Sequence, residues 1–196
     1  MPVSSPRCPA CGLPFESSGD DHLCGRCLSL PPPFRAAHIP LQYGGALKTA
    51  VSRLKYRSAP WLQRPLGNLL ARAIPATVEA DIVVPVPLHP RRLSRRGFNQ
   101  SALIASVVAR SLGKPLVTGS LRRVVDTPPQ ARHGRDERLE ALTGAFAVPR
   151  PGPVEGRAVL LVDDVVTTTA TVRSASRALA DAGALRIDIA ALARAV

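Results

Sequence analysis

The sequence predicts an α/β domain, a largely parallel sheet flanked by helices, behind a small four-cysteine ribbon at the N-terminus. Three observations predict it. From residue 36 onward, apolar runs of strand length alternate with amphipathic runs of helix length, the pattern of a parallel sheet. One such run, residues 158–164, ends in the acid pair Asp163–Asp164 and leads into a string of hydroxyl residues that opens a helix. All four cysteines fall within the first 27 residues, as Cys8-x-x-Cys11 and Cys24-x-x-Cys27.

The two knuckles are twelve residues apart, a spacing that lets four thiolates wrap one tetrahedral Zn²⁺. A closed four-sulfur site has no open coordination position, so the expected role is structural. So short a segment buries little core, and the metal supplies the missing folding energy. Gly12 and Gly25, each next to a cysteine, are expected to permit the knuckle turns. His22 is surplus to four sulfurs and is read as a surface residue. Pro31-Pro32-Pro33 acts as a stiff spacer. The division is therefore a ribbon over 1–33 and an α/β domain over 34–196.

Within that domain, residues 36–43 read as a short strand and Gly44-Gly45 as the turn into a helix. The helix has an apolar stripe of Leu47, Val51 and Leu54, with Lys48, Arg53, Lys55 and Arg57 on its other face. A second helix is expected over 61–73 and a buried strand over 81–87. The segment 88–100 reads as an Arg-dense loop, followed by a helix with Leu103, Ile104, Val107, Val108 and Leu112 on one side that closes at Gly113. Residues 115–118 suggest a short strand, and 122–140 a mobile, charged loop running into a short helix. The central strand, 158–164, precedes a helix with Val172, Ala175, Leu179 and Ala182 at helical spacing. Residues 186–192 form the last strand.

Three loops then share one sheet edge, where open α/β sheets bind ligands. After Asp164, backbone amides and the positive end of a helix dipole make a phosphate site, with Thr167, Thr168 and Thr171 as hydroxyl donors. Asp163 and Asp164 are placed to accept from ribose hydroxyls. Near Leu88 and His89, free amides with Arg95 and Arg96 close by suit a pyrophosphate. The segment 122–138 is a candidate lid, with Gln130, Arg132 and Arg138 as its polar contacts.

The chain carries 26 Lys plus Arg against 14 Asp plus Glu, a net charge of +12, which favours anionic partners. The cluster Arg91, Arg92, Arg95 and Arg96 is a candidate single-stranded DNA contact. Aromatic residues make up only 4%, which argues for electrostatic binding more than base stacking. No stretch approaches the ~20 apolar residues of a membrane span. Residues 1–7 lack the apolar core of a signal peptide. A cytoplasmic location without a membrane span is expected.

Leu160-Leu161-Val162-Asp163-Asp164-Val165-Val166-Thr167-Thr168-Thr169-Ala170-Thr171 resembles the ribose-5-phosphate loop of type I phosphoribosyltransferases. The resemblance assigns Val165, Val166, Thr167, Thr168, Thr169, Ala170 and Thr171 to 5-phosphate binding and Asp163 and Asp164 to the catalytic acid pair. Further segments occur in order: the cysteine knuckles, Leu54-Lys55-Tyr56, Val84-Pro85-Val86-Pro87, Arg95-Arg96-Gly97-Phe98-Asn99-Gln100 and Gln130…Arg138…Gly144-Ala145-Phe146. Together they are similar to the ComF family across essentially the whole chain. That resemblance implies a zinc ribbon on a type I phosphoribosyltransferase fold. It also implies 5-phosphoribosyl 1-pyrophosphate with Mg²⁺ as ligand, and a part in handling imported single-stranded DNA during natural competence, alongside a helicase-like partner. A metabolic or salvage phosphoribosyltransferase with an unknown acceptor is the alternative.

Two positions depart from the family pattern. Ala141 stands where many members have Asn, and Thr169 where the loop has Gly. A left-handed backbone at a β-branched residue costs on the order of 1–3 kcal/mol, and the Cβ would crowd a phosphate. Alternatively, the Thr169 hydroxyl supplies a further phosphate contact. The sequence leaves both open.

Overall fold

The computed structural model describes residues 1–16, 18–56, 59–126 and 144–195. Its centre is a parallel sheet built from β1 (Ala37–His38), β2 (Leu41–Gln42), β3 (Ile82–Pro85), β6 (Ala158–Val166) and β7 (Arg186–Arg194). Strand β7 pairs on one side with β1 and β2 in succession, and on the other with β6, which pairs in turn with β3. Both long strands are buried along nearly their whole length, as expected of a parallel sheet covered on both faces.

Side-chain alternation along the strands sorts the core into two layers. Val159 and Leu161 pack with Val84, Ile189 and the helix α6 (Ala170–Asp181), through Val172, Ala175 and Leu179. Leu160 and Val162 face the other way. They meet Val51 and Leu54 of α2 (Gly45–Tyr56), Leu66 and Leu70 of α3 (Gln63–Ala73), and Ile104 and Val108 of α5 (Gln100–Leu112). Helices α3 and α5 approach closely because Gly67 has no side chain: a Cβ there would lie 2.5 Å from Val107 Cβ.

Several boundaries differ from the sequence reading. The first strand is split in two at Ile39–Pro40, where proline has no N–H for the ladder. Residues 60–62 form a 3₁₀ turn ahead of α3. The 115–118 segment makes only a single parallel bridge, Leu116 to Val83. Residues 122–123 form a strand, β4 (Arg122–Arg123), antiparallel to β5 (Phe146–Ala147). The Arg-dense segment after β3 is not all loop, because it holds the helix α4 (Pro90–Arg96). Pro90 at its first turn presets φ and lacks only a donor that the helix does not use. Gly97, at φ 81°, ends it.

At the N-terminus, α1 (Gly25–Ser29) begins the second knuckle. Gly12 does adopt a left-handed φ of 69°, its absent Cβ leaving room for Ile39, whereas Gly25 simply opens α1 and needs no special backbone. The first residues are tied to the sheet, with Val3 N–H donating to Pro40 O and Gln42 N–H to Met1 O, each across 2.8 Å.

Candidate ligand site at the sheet edge

Strand β6 continues two residues past the acid pair, pairing Val165 with Ala193 and Val166 with Arg194. Val165 and Val166 are therefore strand residues and not part of the loop. Asp163 and Asp164 are both buried, and between them they find partners on α2 and α5. Ser101 Oγ donates to Asp163 Oδ1 across 2.9 Å, and the Asp164 N–H donates to the same oxygen. Gln100 Nε2 donates to Asp164 Oδ1 across 3.2 Å, and Lys55 forms an ion pair with Asp164 Oδ2. Burial, reinforced by the neighbouring Asp164 charge, pushes the Asp163 carboxyl up to about 7, against the pull of these donors.

Lys55 is thus not a solvent-facing partner of Lys48 and Arg53. Burial disfavours its charge, but the attraction of Asp164 and then Asp163 outweighs it and raises the ammonium pKa. This contact was missed in the sequence because helical phase alone put Lys55 on the polar face. The only signal was its place in Leu54-Lys55-Tyr56. Gln100, the first residue of α5, is visible in the sequence only as the end of the Arg95–Gln100 segment, and Ser101 carries no signal there. Their position follows from Asn99, which caps α5 by accepting from Ser101 N–H and donates to Val86 O beyond β3.

Beyond β6 the chain bends through Thr167, Thr168 and Thr169 into α6. Thr167 is exposed, Thr168 and Thr171 are half-buried, and Thr169 and Ala170 are buried. Thr169 occupies the helix N-cap with φ 65°, the only non-glycine residue with positive φ among those described. Its hydroxyl caps no backbone amide and instead accepts from Arg173 Nε across 3.2 Å. The carbonyls of this turn are also held by arginines. Arg194 donates to Val166 O and Thr167 O, and Arg26 of the ribbon to Thr168 O. The amides of the first turn of α6 have no intrahelical acceptor. Together with the dipole of a twelve-residue helix, they favour an anion at this end.

The loop after β3 lies at the same edge, since Val86 N–H donates to Val162 O across 2.9 Å. His89 Nδ1 accepts from Arg91 N–H across 3.4 Å and lies 3.6 Å from Asp126 Oδ2. The four arginines of α4 do not form one patch. Arg91 and Arg95 are exposed, one turn apart. Arg92 turns to Asp126 at 3.5 Å, and Arg96 donates to Gln100 Oε1 with its guanidinium 5.0 Å from the Tyr56 ring centre. Leu88 and His89 line a cavity with Leu93, Asn99, Arg122 and Arg123. The lid residues Gln130, Arg132 and Arg138 lie outside the described residues, as does Ala141.

In the ribbon, the four sulfurs of Cys8, Cys11, Cys24 and Cys27 lie within 4.8 Å of one another, all buried. Cys11 and Cys24 Sγ are 3.8 Å apart, matching the edge of about 3.8 Å of a tetrahedron with Zn–S near 2.3 Å. The donor set fits a structural zinc ion. Burial opposes ionisation of Cys8, yet the backbone amides of Cys24, Cys11 and Ala10 bring its thiol down to about 7. Burial pushes Cys27 up to about 11. Such thiols lose their protons on coordination, so metal affinity rises with pH. His22 is exposed, stacked on Phe15 with ring centres 4.1 Å apart, and takes no part in the cluster.

No helix among the described residues is long and apolar enough to cross a membrane. Residues 99–195 match the phosphoribosyl transferase domain family. The chain is 35% identical over 194 residues to the DNA utilization protein YhgH of Escherichia coli K12, covering 95% of this chain and 83% of that protein. It is 31% identical to competence protein F of Haemophilus influenzae, covering 98% of this chain and 86% of the relative. Among solved structures, glutamine phosphoribosylpyrophosphate amidotransferase from B. subtilis matches 70% of this chain but only 30% of that enzyme, with 24% identity and a TM-score of 0.46. The fold assignment rests on the sequence families and the strand order, not on that overlay. With relatives this similar over more than four fifths of their length, and with the knuckles, the acid-pair strand and the turn into α6 in one chain, the protein belongs to the ComF family of phosphoribosyltransferase-like proteins.

Proposed function

We propose that the protein binds 5-phosphoribosyl 1-pyrophosphate, or a closely related sugar phosphate, as part of handling single-stranded DNA in the cytoplasm during natural competence. The observation that carries this reading is the placement of the acid pair beside the anion-favouring turn at the start of α6. In this reading Asp163 and Asp164 accept from the ribose hydroxyls. Thr167, Thr168 and Thr171, with the amides of residues 167–171, hold the 5-phosphate. Leu88 and His89 supply backbone to the pyrophosphate, with Arg95 and Arg96 offering charge. Mg²⁺ would accompany the pyrophosphate and offset its charge. Gln130, Arg132 and Arg138 are assigned to a lid over it. Lys55 offsets part of the charge of the acid pair and keeps Asp164 paired at a buried site.

A site built for both ends of one ligand makes a specific prediction. Thermal unfolding with Mg²⁺ and either 5-phosphoribosyl 1-pyrophosphate, ribose 5-phosphate or pyrophosphate should show the largest protection with the whole molecule. Equal protection by pyrophosphate alone would contradict a two-ended site.

The DNA part is supported by the relatives' names and by a surface feature. Tyr56 is 73% and Trp61 66% exposed, at the end of α2 and in the turn that follows, and Arg96 lies over Tyr56. Few as the aromatics are, these two are exposed for base stacking, and Tyr56 lies next to Arg96 of α4. Arg91 and Arg95 supply its exposed charge, while Arg92 and Arg96 are engaged within the fold.

A further inference from the structure

The ribbon and the phosphate turn are in direct contact, through a buried arginine that neither the sequence motifs nor the ligand reading uses. Arg173, on the first turn of α6, is 6% exposed. Its Nε donates to Thr169 Oγ1 across 3.2 Å, and one terminal nitrogen donates to Cys27 Sγ across 3.6 Å. Its own N–H closes the first helical bond onto Thr169 O across 2.8 Å. A second contact runs in parallel, with the Arg26 guanidinium, one residue before Cys27, donating to Thr168 O across 3.1 Å. A cavity between ribbon and loop is lined by Cys11, Cys24 and Cys27 on one wall and Thr167, Thr168 and Thr169 on the other.

We propose that the ribbon is a regulatory clamp on the phosphate turn, and that Arg173 transmits the state of the cysteine cluster to Thr169. Four thiolates around one divalent ion carry a net charge of about −2, and a buried guanidinium beside them is compensated. With the metal gone, nothing fixes Cys27 Sγ beside the guanidinium, and among the described residues Arg173 keeps the Thr169 hydroxyl as its other side-chain partner in a buried setting, an arrangement that favours its departure. Thr169 then loses the hydrogen bond that offsets its left-handed backbone, and the turn relaxes toward conformations that Thr prefers. This explains why Thr serves at a position where the family loop has Gly. Glycine adopts that φ freely, but it has no hydroxyl through which the ribbon can hold the turn. Arg173 is a positioning residue, acting on the ligand only through Thr169. That metal loading thereby sets ligand affinity rests on the sugar-phosphate reading of the site.

The test is residue-resolved amide exchange on the full chain, read at positions 173 and 174, together with zinc content. In Arg173→Met and Thr169→Val, exchange at these amides should accelerate roughly tenfold, the loss of one charge-assisted bond, while zinc stays at one per chain. Thr169→Ser, which keeps the hydroxyl, should exchange like wild type. Removing zinc from wild type with a chelator should accelerate the same amides. Wild-type exchange in both Arg173→Met and Thr169→Val would overturn the proposal, as would acceleration confined to the ribbon on zinc removal. If Arg173→Met does not fold, the Thr169→Val and Thr169→Ser pair decides. Titration of ribose 5-phosphate into zinc-loaded wild type is read separately. Its failure to bind would remove the sugar-phosphate reading and leave the exchange result to judge the clamp.

Discussion

Lys55, on α2, is ion-paired with Asp164 on β6, so the helix that follows the first two strands contributes directly to the acid pair. The Lys55 side chain is only 20% exposed and that of Asp164 6%. Removing one partner of such a pair leaves a buried charge without compensation. Lys55→Met is expected to lower stability by about 3 kcal/mol, measured by urea unfolding. Lys55→Met with Asp164→Asn should cost less than the sum of the two single changes, and strict additivity would show that the pair is not coupled.

Asp163 makes stability depend on pH in a defined direction. Its carboxyl titrates near 7 in the folded protein against an ordinary value of 3.8. The folded state therefore binds more protons than the unfolded state between these limits. Its contribution to stability falls as pH rises from about 4 to about 7 and changes no further above that. Asp163→Asn should flatten this part of the profile. An unchanged slope in the variant would assign the effect elsewhere.

Charge and base stacking should separate in DNA binding. Arg91→Ala with Arg95→Ala is expected to reduce the salt slope of single-stranded DNA binding by about 1.4, from roughly 0.7 per phosphate contact. Folding should be unaffected. Trp61→Ala should weaken binding by about 1–3 kcal/mol with little change in slope, as loss of a stacked base does. Fluorescence anisotropy over a salt series distinguishes these outcomes.

Gly67→Ala tests the packing beneath the site. A methyl group 2.5 Å from Val107 Cβ must push α3 from α5. The expected cost is about 1–3 kcal/mol, read as a lower urea midpoint. A neutral result would mean that the two helices separate easily.

Much of the site was legible because local chemistry carried it. The acid pair and following hydroxyls mark a strand–turn–helix junction, and the cysteine spacing brings four sulfurs together. The positions of Ile104, Val108, Val172 and Leu179 follow from helical periodicity. What could not be read was long-range. Nothing near Lys55 in sequence says that a residue 109 positions away will meet it. Arg173 looks like one more polar helix residue until the ribbon folds back onto α6. The strand end was misplaced because two acids were read as the edge of a run, whereas pairing with Ala193 and Arg194 carries the strand on to Val166. The left-handed turn at Thr169 was legible only as a departure. Its explanation required Arg173 and the ribbon.

Calorimetric titration of 5-phosphoribosyl 1-pyrophosphate with Mg²⁺ into the wild type and into Asp163→Asn/Asp164→Asn tests whether the acid pair holds this ligand. Saturable one-to-one binding by the wild type is expected, and its loss in the double variant, with the variant still folded. Absence of binding by zinc-loaded wild type, or undiminished binding by the double variant, would contradict it.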